Sequence, residues 1–216
     1  PAALTLRELE ALSNPSTALC LGLQISVADF IEDAGSVLAK VPGGLREFCG
    51  FKGRDDFLVL SGRDALTPQT SMPASDGWVT LVTGSGQKKV TVEQYIAFVA
   101  TTKVDAIAWL TDEVVGDGAE RRHKKSIDRG LVWLDKGLAA RDKGEIPAST
   151  LIFAGVGGGG SARERERAAA EISKRAVDGF VFTGMGSGES CEERDSMLTT
   201  SISLLQDHKP RIIVGL

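Results

Sequence analysis

Residues 150–183 read TLIFAGVGGGGSARERERAAAEISKRAVDGFVFT, and the fold turns on this stretch. Residues 150–156 are one apolar run, the pattern of a strand buried on both faces. A glycine turn follows. Ser161 and Glu164 then stand in capping-box spacing and open a helix to about residue 175. Residues 177–183 are apolar again. Strand, short turn, capped helix and strand make one βαβ unit, which requires a parallel pair.

The same alternation extends outward. Ser190 and Glu193 form a second capping-box pattern, its helix runs to about residue 206, and a last strand at 211–214 is entered through Pro210. Upstream, residues 118–140 read as a long helix, with Ile127, Leu131, Leu134 and Leu138 spaced four, three and four apart. Residues 105–110 (DAIAWL) read as a strand. The first half is less regular. Thr5 to Glu8 cap a short helix, 18–25 suit a strand, 27–38 a helix and 57–60 a short strand. Residues 78–83 and 89–91 flank Gly84-Ser85-Gly86 as a hairpin, and a helix at 92–102 follows. Residues 62–77 hold Pro68 and Pro73 and read as a loop. No internal repeat is evident.

The expected fold is α/β, with about six parallel strands, most followed by a helix. It matches a (β/α)₈ TIM-type barrel, which takes about 250 residues when complete. This chain has 216 and ends on a strand finishing Val214-Gly215-Leu216. The expectation is a single barrel domain over 1–216, truncated at both ends, because the chain also starts at Pro1 rather than Met.

Composition narrows the function. With 42% hydrophobic and 25% charged residues the chain can bury a core beneath an ordinary polar surface. A net charge of −4 and a pI of about 5.3 give no overall basic field, so any RNA contact needs a local patch. Cys20, Cys49 and Cys191 lie far apart with no Cys-x-x-Cys pair, which speaks against a zinc knuckle here and suits a reducing compartment. No apolar run approaches the roughly 20 residues of a membrane helix, and no signal sequence opens the chain.

Gly155-Val156-Gly157-Gly158-Gly159-Gly160 matches G-x-G-x-x-G between a strand and a helix, the setting of a dinucleotide fingerprint. The next strand, however, ends Phe182-Thr183-Gly184, without the acid that would hold a ribose. A flexible turn at the barrel mouth, or close backbone approach to a ligand or RNA, are the other readings. Arg121-Arg122-His123-Lys124-Lys125 is the strongest basic cluster and a candidate for phosphate contacts; a solvated helix face is the plainer reading. The alternating charges from Arg163 to Arg167 suggest an exposed helix with internal pairing. His123 and His208 read as surface residues, and Trp109 and Trp133 as core; Trp78 fits core or interface.

Several of these segments resemble the tRNA-guanine transglycosylase family. Asp178 to Glu189 (DGFVFTGMGSGE) resembles its glycine-rich strand end, with Gly184, Gly188 and Glu189 matching and Met185 in place of a Leu. Asp207-His208-Lys209-Pro210-Arg211 and Gly215 resemble its Asp-Lys-Pro-Arg segment and the Gly that follows. Lys125 to Arg129 with Leu131, Leu134, Asp135 and Leu138, the stretch Leu110 to Glu113, and residues 1–12 look like a non-catalytic accessory member of the family. The resemblance implies a barrel that pairs with a catalytic transglycosylase subunit as a heterodimer and acts on tRNA, exchanging guanine for queuine at the wobble position. It implies a cytoplasmic location, with association at the outer mitochondrial surface known in the family.

It also implies what is altered. The family's acid-Ser-Gly-Gly string has no counterpart near Leu58 to Arg63, and Gly157 stands where a base-reading Gln is expected. The nucleophilic Asp and the zinc ligands belong to the family's later part, so zinc is expected beyond this chain and no cofactor within it. Asp112, Gly157, Gly184, Met185 and Gly188 are then a base-pocket remnant without a catalytic residue, and Asp112 has a plainer reading as a helix N-cap or turn residue. Arg121, Arg122, Lys124 and Lys125 are the candidate tRNA phosphate contacts. Two alternatives stay open: a catalytic transglycosylase whose nucleophile lies past Leu216, and an unrelated barrel enzyme with a phosphate on the glycine run.

Overall fold

The computed structural model describes residues 22–32, 37–51, 56–62, 74–114, 118–186 and 188–213. Six strands form one parallel sheet: β1 (Gly22–Ser26), β2 (Phe57–Ser61), β5 (Ala106–Ala108), β6 (Leu151–Val156), β7 (Gly179–Phe182) and β8 (Arg211–Ile213). They lie side by side in that order. A separate antiparallel hairpin pairs β3 (Trp78–Thr83) with β4 (Gly86–Thr91). The helices are α1 (Gly44–Phe48), α2 (Val92–Thr102), α3 (Glu120–Asp142), α4 (Ala162–Ile172) and α5 (Cys191–Ile202). The expected parallel neighbours at 150–156, 177–183 and 211–214 are present as β6, β7 and β8.

Sequential strand order has a topological consequence. Right-handed crossovers that always step in one direction place every helix on the same face of the sheet. Alternate strand residues therefore meet different neighbours. Ile107, Trp109, Ile152, Ala154, Val156, Phe180 and Phe182 join the main core with Trp133, Leu134, Ala169 and Ile172 of α3 and α4. Ala106, Ala108, Phe153 and Val181 form a second, smaller cluster with Val59, Leu151 and Ile212. A singly wound parallel sheet with its helices on one face and a second apolar cluster on the other is the arrangement of part of a TIM-type barrel.

The entrances to β5 and β7 share one device. Asp105 accepts from the Leu58 N–H at 2.7 Å and from Arg46 of α1 at 2.6 Å. Asp178 accepts from the Ile152 N–H at 2.8 Å and is paired with Arg141 of α3. In each case an Asp before a strand holds the amide of the neighbouring strand's second residue and an arginine of a helix. The sequences Val104-Asp105-Ala106 and Val177-Asp178-Gly179 are thus a short structural repeat that the sequence reading passed over.

Three other expectations are corrected. The helix expected over 27–38 begins instead as a 3₁₀ turn at Val27–Asp29 capped by Ser26, and is α-helical at 37–38; residues 33–36 of it lie outside the described residues. The Arg163–Arg167 run is not wholly exposed: Glu164 and Arg165 are buried, because the α4 face carrying them packs on the strand ends. His123 is buried at 2% exposure rather than on the surface. Ser161 does cap α4 through the Glu164 N–H, whereas the Glu164 carboxylate turns to Arg167 instead of closing a box. Complete boxes occur at Ser190–Glu193 and, unforeseen, at Thr91–Gln94. Trp109 and Trp133 are core residues as expected, and Trp78 is half-buried beneath the Lys89 ammonium. The expected features at Thr5–Glu8, Cys20, Pro68, Pro73 and Gly215 lie outside the described residues.

Candidate functional site

The C-terminal ends of β5, β6 and β7 gather the residues singled out from the sequence. In a parallel barrel these ends carry chemistry, because loops there are free to vary above a rigid sheet. From β5 come Thr111, Asp112 and Glu113; from β6, Gly157 to Gly160; from β7, Thr183 to Gly186, then Gly188 and Glu189.

Asp112 is no helix cap. The N-cap of α3 is Ala119, which offers no side-chain acceptor. Asp112 instead receives both terminal nitrogens of Arg122, at 2.6 and 2.5 Å, and Nη1 of Arg129 at 2.9 Å. Its side chain is 1% exposed. Arg129 continues to Asp76 at 2.7 Å, and Trp133 Nε1 donates to the Asp76 carbonyl at 3.0 Å. The neighbouring Arg129 holds the Asp76 carboxyl below its ordinary range, and the Asp76 and Asp112 partners raise the Arg129 guanidinium. A buried carboxylate needs its charge matched and its lone pairs filled. Here two guanidiniums match the charge and three N–H donors occupy most of the acceptor sites, so Asp112 ties α3 to the end of β5.

The other carboxylates at this end are engaged too. Glu113 accepts from the Gly184 N–H at 3.3 Å. Glu189 accepts from the Gly186 N–H at 2.6 Å and from Arg194 at 3.1 Å. Gly184, Gly186 and Gly188 all have positive φ, and this conformation shapes the turn that wraps Glu189. Met185 is fully buried between them.

The glycine run is filled from within. Gly158 and Gly159 have φ of 129° and 55°. A Cβ on Gly159 would lie 2.3 Å from the His123 ring, and one on Gly158 would lie 2.7 Å from the Arg165 amide. Arg165, completely buried, donates from Nε to the Gly159 carbonyl at 2.6 Å and from Nη2 to the Thr183 carbonyl at 3.3 Å. It thereby laces the β6 loop to the β7 loop. Burial pulls its guanidinium down to about 10, against the opposing pull of Glu189. Neither Arg165 nor His123 was legible as a site-shaping residue; the only hint was an Arg among alanines on the inward stripe of α4.

Behind these ends, Trp109, Asp112, Ser126, Gly130, Gly155, Gly157 and Thr183 line a cavity of about 20 Å³ between the sheet and helices α3 and α4. That is room for about one water molecule. It holds no space for a purine.

The basic cluster is split. Arg121, Lys124 and Lys125 are exposed, whereas Arg122 is half-buried on Asp112. Among the described residues no group of three His, Cys, Asp or Glu side chains could hold a metal ion, and Cys49 and Cys191 are free thiols. These residues do not fit a zinc site. No helix among them is long and apolar enough to cross a membrane.

A sequence profile described as queuine tRNA-ribosyltransferase matches residues 4–216. Curated relatives named queuine tRNA-ribosyltransferase accessory subunit 2 align along most of the chain. The one from Trichoplax adhaerens is 31% identical over 87% of this chain and 51% of its own length. Those from Gallus gallus and Homo sapiens are 29% and 28% identical, over 98% and 83% of this chain and 48% and 44% of their own lengths. The chain spans about half the length of the curated relatives it matches. With a profile match over nearly every residue and a singly wound parallel sheet beneath it, the chain belongs to the queuine tRNA-ribosyltransferase (TGT) family.

Proposed function

We propose that the protein is the non-catalytic subunit of a heteromeric queuine tRNA-ribosyltransferase, pairing with a catalytic homologue and supporting the exchange of guanine for queuine at the wobble position of tRNA. The accessory-subunit name of its relatives supports the reading. The observation that carries it is the clamp on Asp112. Base exchange through a covalent intermediate needs, besides its nucleophile, a carboxylate at the pocket free to meet the base. At the described strand ends Asp112, Glu113 and Glu189 each accept hydrogen bonds from the chain itself. Gly157, where the family resemblance expects an amide, has no side chain, and a Cβ there would sit 3.2 Å from Thr183 Oγ1.

In this reading Asp112, Gly157, Gly184, Met185 and Gly188 keep the outline of a base pocket as a packed surface, and the partner supplies the chemistry. The zinc implied by the family is assigned outside the described residues, and the complex is cytoplasmic. The test is incorporation of labelled guanine into tRNA by the purified full-length protein alone, by the catalytic homologue alone and by the two together. The expected result is no incorporation by this protein alone and the highest rate from the pair. Incorporation by this protein alone, above a no-protein control, overturns the reading.

A further inference from the structure

We propose that Arg121 and Lys124 of α3 and Arg163 of α4 form one ridge that grips backbone phosphates of RNA at the mouth of the sheet. The proposal rests on the tRNA-linked function argued above and names the residues through which that RNA is held.

In sequence the basic run 121–125 looks uniform, and Arg163 belongs to a different run. The fold redistributes both. Arg122 turns inward to Asp112, and His123 is buried. Lys125 stands on the side of α3 that faces the hairpin, where its charge helps lower the Asp76 carboxyl. Arg121 and Lys124 remain, three positions apart and therefore neighbours on the outer face.

Arg163 is brought to them by α4. Arg167 donates to the Lys124 carbonyl at 3.0 Å and pairs with Asp128 at 2.7 Å, which fixes the height of α4 against α3. Arg163 lies four residues before Arg167, about 6 Å nearer the helix start. That places it beside the first turn of α3. Both helices begin at the C-terminal ends of their preceding strands, β5 and β6, so both starts point to the same mouth.

The three cations are also the available ones. Among the arginines of α3 and α4, Arg122, Arg129, Arg141, Arg165 and Arg167 hold carboxylate or carbonyl partners. Arg121 and Arg163 are exposed and have no hydrogen bond or ion pair among the described residues, and the Lys124 ammonium likewise has none. Among the described residues the nearby acids are Glu120, in the first turn of α3, Glu166, three positions after Arg163 on α4, and Asp128 and Glu164, both held by Arg167. None of these acids is paired with Arg121, Lys124 or Arg163 among the described residues. The start of α3 adds the positive end of its dipole, uncapped by any side chain. Compact ammonium and guanidinium groups of this kind meet phosphates and carry no sequence information. The ridge therefore positions RNA and does not select its bases.

The test is equilibrium binding of tRNA to the full-length protein assembled with its catalytic partner, between 50 and 200 mM salt. Arg163→Ala, and separately Lys124→Ala, should weaken binding and reduce the log–log salt slope by about 0.7–0.9 each. Over that fourfold salt range each removed contact shrinks the loss of affinity by about threefold. The triple variant with Arg121→Ala should reduce the slope by about 2–3, with an unchanged melting temperature, because all three side chains are exposed. Intact tRNA binding with an unchanged slope for Arg163→Ala overturns the ridge and leaves the accessory-subunit reading standing. Absence of tRNA binding by the unmodified complex overturns both.

Discussion

The two ends of the parallel sheet use the same pair of side chains, aspartate and arginine, to different effect. At the N-terminal end, Asp105 and Asp178 each take one guanidinium and one strand amide, and the carboxylates are 38% and 31% exposed. Each guanidinium also reaches a nearby carbonyl, of Asp56 or of Ala176. At the C-terminal end Asp112 takes two guanidiniums at 1% exposure, and one of them passes on to Asp76. That clamp is buried and linked to others. Burial decides the difference: an exposed pair is screened by water and contributes little, whereas a buried charge stripped of its partners is strongly destabilising.

The largest expected effect follows directly. Asp112→Ala leaves two guanidiniums facing a buried hole and should cost about 3–5 kcal/mol. Asp105→Ala or Asp178→Ala should cost about 1–2 kcal/mol, mostly through the orphaned strand amide. Urea denaturation of the three variants measures this, and equal losses would remove the distinction between the ends.

Gly137 sharpens the picture at the C-terminal side. A Cβ there would lie 2.2 Å from the Trp109 ring, which occupies the groove that the glycine leaves in α3. Gly137→Ala should cost about 1–3 kcal/mol by forcing ring or helix to move. Gly130→Ala, with nothing within 4 Å of its added Cβ, is the matched control on the same helix and should leave stability unchanged or slightly raised. Similar midpoints for the two variants would mean that the α3–β5 contact is loose.

At the other end, independence is the expectation. Asp105 and Asp178 share no partner, so the cost of the double alanine variant should equal the sum of the singles within about 0.5 kcal/mol. A coupling well above that would show that the two entrances act as one unit.

The smallest effect is kinetic. Cys191 opens α5 at the C-terminal side and is exposed; Cys49 follows α1 and is half-buried, with burial raising its thiol above the ordinary range. A neutral maleimide at pH 7.5 should label Cys191 first, and Cys49 should stay slow until the pH passes the usual thiol range, since the thiolate is the reactive form. Peptide mapping that finds Cys49 labelled first would contradict the burial of α1.

What the sequence by itself determined is the local and periodic part. Apolar runs, capping residues and helical spacing depend on neighbours a few positions apart, and they placed β6, α4, β7, α5 and β8 in the right order and sense. The first half was less legible because its strands are short and separated, and one expected helix opens as a 3₁₀ turn. The candidate site was legible as a set of names: Asp112, Gly157, Gly184, Met185 and Gly188 do collect around the strand ends. Their states were not legible. Whether Asp112 is an open acceptor or a locked anchor depends on Arg122 and Arg129, ten and seventeen residues away. Whether four glycines cradle a ligand or receive His123 and Arg165 depends on which helix face meets them. Only the tertiary structure decided those questions, because burial, charge pairing and free volume arise when distant segments compete for the same space, and no run of neighbouring residues encodes which of them wins.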